Sequence, residues 1–183
     1  MFNNKIDVAS AQNIGNYSIP GVSVISARVT DNTTENGAIV VLTVKDSTID
    51  VTVERPITIK GVMGYGGNFT PMSPSTTYVA LVENKAPQLM STTFDKKALN
   101  NIKMVFSEKI QGELIVNVTQ LNGYYNGVID NTVTIDGNSL YINLLTIPEK
   151  NTGLKIDIYD NAITDMNGNK AILNSIYMVS AIY

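Results

Sequence analysis

Apolar residues along this 183-residue chain recur mainly with the two-residue spacing of β-strands. Val22-Ser23-Val24-Ile25-Ser26-Ala27 is apolar and β-branched. Ile39-Val40-Val41-Leu42-Thr43-Val44 is an almost unbroken apolar run, which predicts a strand covered on both faces. Ile49-Asp50-Val51-Thr52-Val53 alternates strictly and predicts a strand with one face in a core. Ile57-Thr58-Ile59 and Tyr78-Val79-Ala80-Leu81-Val82 complete a first set.

Ala86-Pro87 then interrupts the pattern, because proline ends strand pairing and biases its neighbour to an extended form. A domain boundary is expected here, giving domains 1–85 and 86–183. The second set of strands is expected near 88–94, 102–106, 114–119, 131–135, 139–143, 154–158 and 177–182. Asn122-Gly123, Asp136-Gly137-Asn138 and Asn167-Gly168-Asn169 mark turns between them, and Asp136-Gly137 is a hairpin signal. Helix is confined to single turns at 7–13, with Asp7 as a cap, and at 94–99. The expectation is an all-β chain whose second domain is a sandwich of short strands.

Part of the pattern occurs twice, at a spacing of about 100 residues, as two copies of one small domain would give. The fuller copy has Ile102-Lys103-Met104-Val105-Phe106-Ser107-Glu108-Lys109-Ile110, then Leu154–Ile158, then Asp165-Met166-Asn167-Gly168-Asn169. Phe2-Asn3-Asn4-Lys5-Ile6 echoes its opening, while Ile57–Val62 and Gly66-Gly67-Asn68 echo its close. On this alignment the first copy lacks two opening strands, so backbone groups and core near Phe2 are left to be covered. Either the chain is a piece of something longer or rearranged within itself, or another chain supplies the strands.

Composition narrows the function classes. Apolar residues make up 44% of the chain, enough for a folded core. The net charge of −3 and the lack of any Lys/Arg cluster argue against nucleic acid as a partner. There is no histidine and no cysteine, so Ser-His, Cys-His and zinc-thiolate chemistry are excluded. No apolar run approaches the roughly 18–20 residues of a membrane-spanning helix. Residues 1–20 show no secretory signal, so a removed signal or a longer parent chain is expected.

With these residues in view, the chain resembles the bacterial Ig-like domains of surface-layer and related cell-surface proteins. Ala86-Pro87, Val105-Phe106-Ser107-Glu108-Lys109-Ile110 and Asp165–Asn169 carry the likeness, which extends to Phe2–Asp7 and Asn16-Tyr17-Ser18-Ile19. The closing turn Gly64-Tyr65-Gly66-Gly67-Asn68 departs from it by lacking an Asp. The resemblance implies two tandem Ig-like β-sandwich domains. It also implies an extracellular, cell-surface, non-catalytic module that is structural or adhesive and associates with itself or with neighbouring domains. A glycan-binding module and a phage or secretion-apparatus decoration protein are the alternatives.

The candidate site residues are few. Asp165, Asn167 and Asn169, with Asp160 nearby, could offer oxygen ligands to calcium, the one possible cofactor. Their spacing is not that of an EF-hand, and a tight turn explains the same residues. Tyr124-Tyr125 lies between Asn122-Gly123 and Asn126-Gly127 and could stack on cell-wall glycan or a neighbouring subunit, or cap the core. Phe2 marks the expected uncovered edge. Asp157 with Asp160, Glu108-Lys109 and Glu54-Arg55 read as surface charge rather than a converging catalytic pair. Asn16, Asn32, Asn68 and Asn117 begin glycosylation sequons that an Asn/Thr-rich chain produces by chance.

Overall fold

A computed structural model describes residues 1–66, 70–124 and 127–183. Strands hold 54% of the residues and helix 4%, so the protein is all-β, built from antiparallel sheets. It divides into two compact units, Met1–Lys85 and Ala86–Tyr183.

Among the described residues, the first unit has five strands: β1 (Tyr17–Ser18), β2 (Val24–Thr33), β3 (Gly37–Val44), β4 (Val53–Ile59) and β5 (Ser75–Leu81). β2 and β3 form a hairpin of their own, and β1-β4-β5 form a three-stranded sheet. The buried side chains Ile6, Ala11, Tyr17, Ile19, Ala38, Ile57 and Val62 lie between them. β1 pairs only with Thr58 and Ile59, so that edge of β4 is open at Pro56, where proline is tolerated in a sheet.

Asp7 caps a one-turn helix, α1 (Val8–Ala11), by accepting the Ser10 N–H at 2.7 Å. Ser10 Oγ in turn accepts the Met63 N–H at 3.0 Å, and the Asp7 N–H donates to Met63 O at 2.9 Å. This short helix is therefore held by tertiary hydrogen bonds rather than by helix propensity.

The second unit holds β6 (Leu89–Phe94), β7 (Asn101–Phe106), β8 (Ile110–Gln111), β9 (Leu114–Leu121), β10 (Gly127–Ile129), β11 (Asn131–Asp136), β12 (Ser139–Leu144), β13 (Thr152–Asn161), β14 (Thr164–Asp165) and β15 (Ile176–Ala181). Two four-stranded sheets, β11-β12-β7-β6 and β10-β9-β13-β15, enclose one core. β8 and β14 make a separate two-residue pairing. Alternation drives this layering. Ile102, Met104 and Phe106 on β7 are buried and face Leu114, Val116 and Val118 on β9 and Leu154 and Ile156 on β13. The β11–β12 hairpin turns through Gly137-Asn138, one residue past the expected Asp136-Gly137: Asp136 pairs with Ser139, and Gly137 takes the positive φ, +61°, at the first loop position.

Two expectations fail in the first unit. Residues 49–52 are not a strand. Ile49 is buried, but its N–H goes to the Asn84 side chain at 2.9 Å and its C=O accepts the Asn84 N–H at 3.0 Å. One asparagine thus takes the groups a ladder would have used. β3 is not covered on both faces either: Ile39 and Val41 are exposed, while Ala38, Val40, Leu42 and Val44 face inward. An apolar run shows only that a strand is favourable; which faces are covered depends on the sheets beside it.

Leu140→Ala and Ile156→Ala, one from each sheet of the second unit, are each expected to cost about 2–5 kcal/mol. Denaturant unfolding read through amide exchange of residues 86–183 checks this. A second expectation concerns acid. The Ser10 N–H, then the Ser10 hydroxyl, hold the Asp7 carboxyl below its ordinary range. The stabilisation is thus present above the ordinary carboxylate value and is lost as pH falls through the lower folded value. Asp7→Asn, titrated with acid, should remove that part of the first unit's pH dependence.

Candidate functional site

The first unit contains an apolar groove of about 350 Å³ between its two sheets. Val40, Leu42 and Val44 of β3 form one wall. Ile57 and Ile59 of β4 and Thr77, Val79 and Leu81 of β5 form the floor and the other wall. Met1, Phe2, Tyr17 and Ile19 close one end. Polar groups are scarce in it. The Tyr17 hydroxyl is occupied in donating to Ala11 O at 2.6 Å, and burial pushes its pKa upward, so it stays protonated.

Phe2 sits at the edge of this groove. Its N–H donates to Ala38 O at 2.7 Å and its C=O accepts the Ala38 N–H at 2.9 Å, an antiparallel bridge to the free side of β3. The approach is close: a Cβ added at Gly37, whose φ is +77°, would lie 1.9 Å from Phe2 O. Glycine is required at 37 on both counts. Next along, Ile6 is held by the Asn32 side chain, which accepts its N–H at 2.9 Å and donates to its C=O at 3.0 Å. The Asn32 of the sequon thus serves as a local substitute for a strand partner.

In the second unit, Asp165 is 1% exposed. Its Oδ1 accepts the N–H groups of Asn167 and Asn169, each at 2.8 Å, and its Oδ2 accepts the Asn169 side-chain amide at 2.8 Å. Its own N–H reaches Asn169 O at 3.0 Å, and Gly168 takes a φ of +89°. The structure thus brings Asp165, Asn167 and Asn169 together as a hydrogen-bonded turn. Three N–H donors thus point at the carboxylate. Asp160 is apart from this turn, exposed on β13 opposite Ile115.

Tyr124 is fully exposed on the β9–β10 connection, and its N–H donates to Glu149 Oε2 at 2.7 Å. Tyr125 lies outside the described residues. Glu149 also donates its N–H to Gln120 Oε1 at 2.7 Å, and its C=O accepts the Thr152 hydroxyl at 2.7 Å. Beside it is a cavity of about 420 Å³ lined by Gln120, Val128, Asp130, Leu145, Ile147 and Glu149, among others. Val128, Leu145 and Ile147 are exposed there. The sequence reading missed Gln120 and Glu149. A signal was present for Gln120, which continues the inward register of Leu114, Val116 and Val118 and is buried. A polar residue in such a register needs a partner inside the fold. Nothing local marked Glu149.

Two ion pairs lie on the surface. Asp157 pairs with Lys155 at 2.8 Å on β13, and Arg55 pairs with Asp50 at 2.9 Å. Surface pairs of this kind contribute about 0–1 kcal/mol. Comparison with protein-family models, curated proteins and solved structures finds no match to this chain.

Asp165→Ala is expected to destabilise the second unit by about 1–3 kcal/mol, because the part-buried N–H groups of Asn167 and Asn169 lose a charged acceptor. If the turn is held by its own N–H groups, excess chelator should leave the melting temperature of the unmodified protein unchanged.

Proposed function

We propose that the chain is a tandem of two Ig-like β-sandwich modules with a structural, non-catalytic role at a cell surface. It associates through sheet edges and loops, with itself or with neighbouring domains. The observation that carries this reading is the contrast between the two units. The second packs two four-stranded sheets over one core, and its groove of about 410 Å³ between β9 and β11 carries the polar Glu113 and Asn131, whereas the groove of the first, beside β3, is lined almost wholly by apolar side chains. Exposed apolar surface next to a strand edge is a feature of association sites. The buried Asp165 and Gln120 support the same reading, since each is engaged in holding a turn or loop.

A second reading, an adhesive or glycan-binding module, is favoured by Tyr124. It presents a whole aromatic ring on a loop braced by Glu149, beside a cavity that mixes apolar and acidic side chains. Calcium belongs to neither reading as a requirement.

Size-exclusion chromatography with light scattering over a wide concentration range separates the two. Assembly predicts a mass that rises with concentration. A monomer at every concentration, combined with glycan binding that Tyr124→Ala abolishes, would sink assembly in favour of the glycan reading.

A further inference from the structure

We propose that the groove of the first unit is a strand-acceptor site. It takes one extended strand from another polypeptide, running antiparallel to β3, with apolar side chains at alternate positions entering the groove. This rests on the association reading above and names the edge and the partner's chemistry.

The hydrogen-bond directions along β3 carry the argument. The Lys45 N–H, one residue past β3, donates to Ser23 O at 2.8 Å, on the β2 side. Ala38 makes both of its bonds with Phe2, on the opposite side. β3 keeps a one-by-one register throughout; the irregularities, at Ile25 and Thr30, are in β2. The two-residue period therefore aims the N–H and C=O of Val40, Leu42 and Val44 away from β2. Among the described residues, no strand pairs with that edge beyond the Phe2–Ala38 bridge.

The same three residues line the groove. In an antiparallel pair, directly opposite residues share a face. Residues opposite Val40, Leu42 and Val44 therefore make backbone bonds and place their side chains over Ile57, Val79 and Leu81. The acceptor thus reads apolar-x-apolar-x-apolar over five residues, continuing the ladder that Phe2 begins.

Sheet edges that must stay single are usually blunted by charge, proline, bulges or shortness. Val40–Val44 has none of these: it is regular, uncharged and free of proline. Small-molecule sites, by contrast, need a few polar groups to orient the ligand, and the Tyr17 hydroxyl is already taken. A second copy pairing β3 to β3 about a twofold would set both copies' inner faces on one side. The Val40, Leu42 and Val44 side chains of the second copy would already face its own β4 and β5. A lone strand meets the hydrogen-bond and packing demands together.

The probe is a nine-residue fluorescent peptide with Val or Ile at alternate positions and Lys at its ends. One control has the same residues in blocks, and another is N-methylated on the apolar residues. Anisotropy and amide exchange of the full chain are the readouts. The alternating peptide should bind and slow exchange at Val40, Leu42 and Val44, and both controls should lose about tenfold or more in affinity. Thr77→Arg, at an exposed position on the groove wall, should weaken binding by about tenfold while the unfolding midpoint holds. Equal binding of the controls, protection along β15 or β5 instead, or no binding to the folded chain overturns the proposal. β3 amides already protected in a dimer without peptide overturn it in favour of a second copy. A chain that stays monomeric yet binds the peptide keeps this inference and loses self-association. A chain that assembles with β3 amides free does the reverse.

Discussion

The backbone bridge between Phe2 and Ala38 fixes where the first unit closes and where it stays open. It seats the start of the chain against β3 at one position, with Gly37 leaving room for the Phe2 carbonyl. One step along, Asn32 supplies donor and acceptor to Ile6. These contacts satisfy backbone groups at one end of the sheet without adding a strand. Beyond them, Val40, Leu42 and Val44 turn side chains into a groove and backbone groups to a free edge. The open groove and the free edge both follow from how little of β3 this short pairing covers.

The second unit meets the same demands differently. Its alternating strands place Ile102, Met104, Phe106, Leu140, Ile142, Leu154 and Ile156 in one core. Its buried polar residues are used to tie connections down. Asp165 holds its turn through two backbone N–H groups, and Gln120 and Glu149 join the β9–β10 and β12–β13 connections. Asp165, Gln120 and Glu149 are each engaged in local hydrogen bonds. That supports, as a proposal, a scaffold whose functional surface is an edge, a groove or a loop tip.

Much of the architecture was legible because strands leave a short-range mark. The period-two alternation of β7, β9 and β12 follows from one covered face, and the hairpin at Gly137, within one residue of its expected place, from a φ that glycine accepts. The Asp7 cap was readable for the same reason, since donor and acceptor lie three residues apart. Residues 49–52 misled because alternation reports burial of a face rather than pairing. Ile49 is buried, but Asn84, far along the chain, takes its backbone groups. β10 was too short, at three residues, to show a period.

The sequence by itself determined the all-β class, the seven longer strands of the second unit, the main turns and the absence of His- and Cys-based chemistry. Each depends on residue types or on neighbours within a few positions. Only the tertiary structure decided that β3 has one exposed face and a free edge and that Asp165 points into its own turn. It likewise decided that Glu149 braces Tyr124 and that Asp160 stands apart on β13. Those outcomes depend on which distant segment arrives to make the hydrogen bond, and no local pattern of apolar and polar residues encodes that partner.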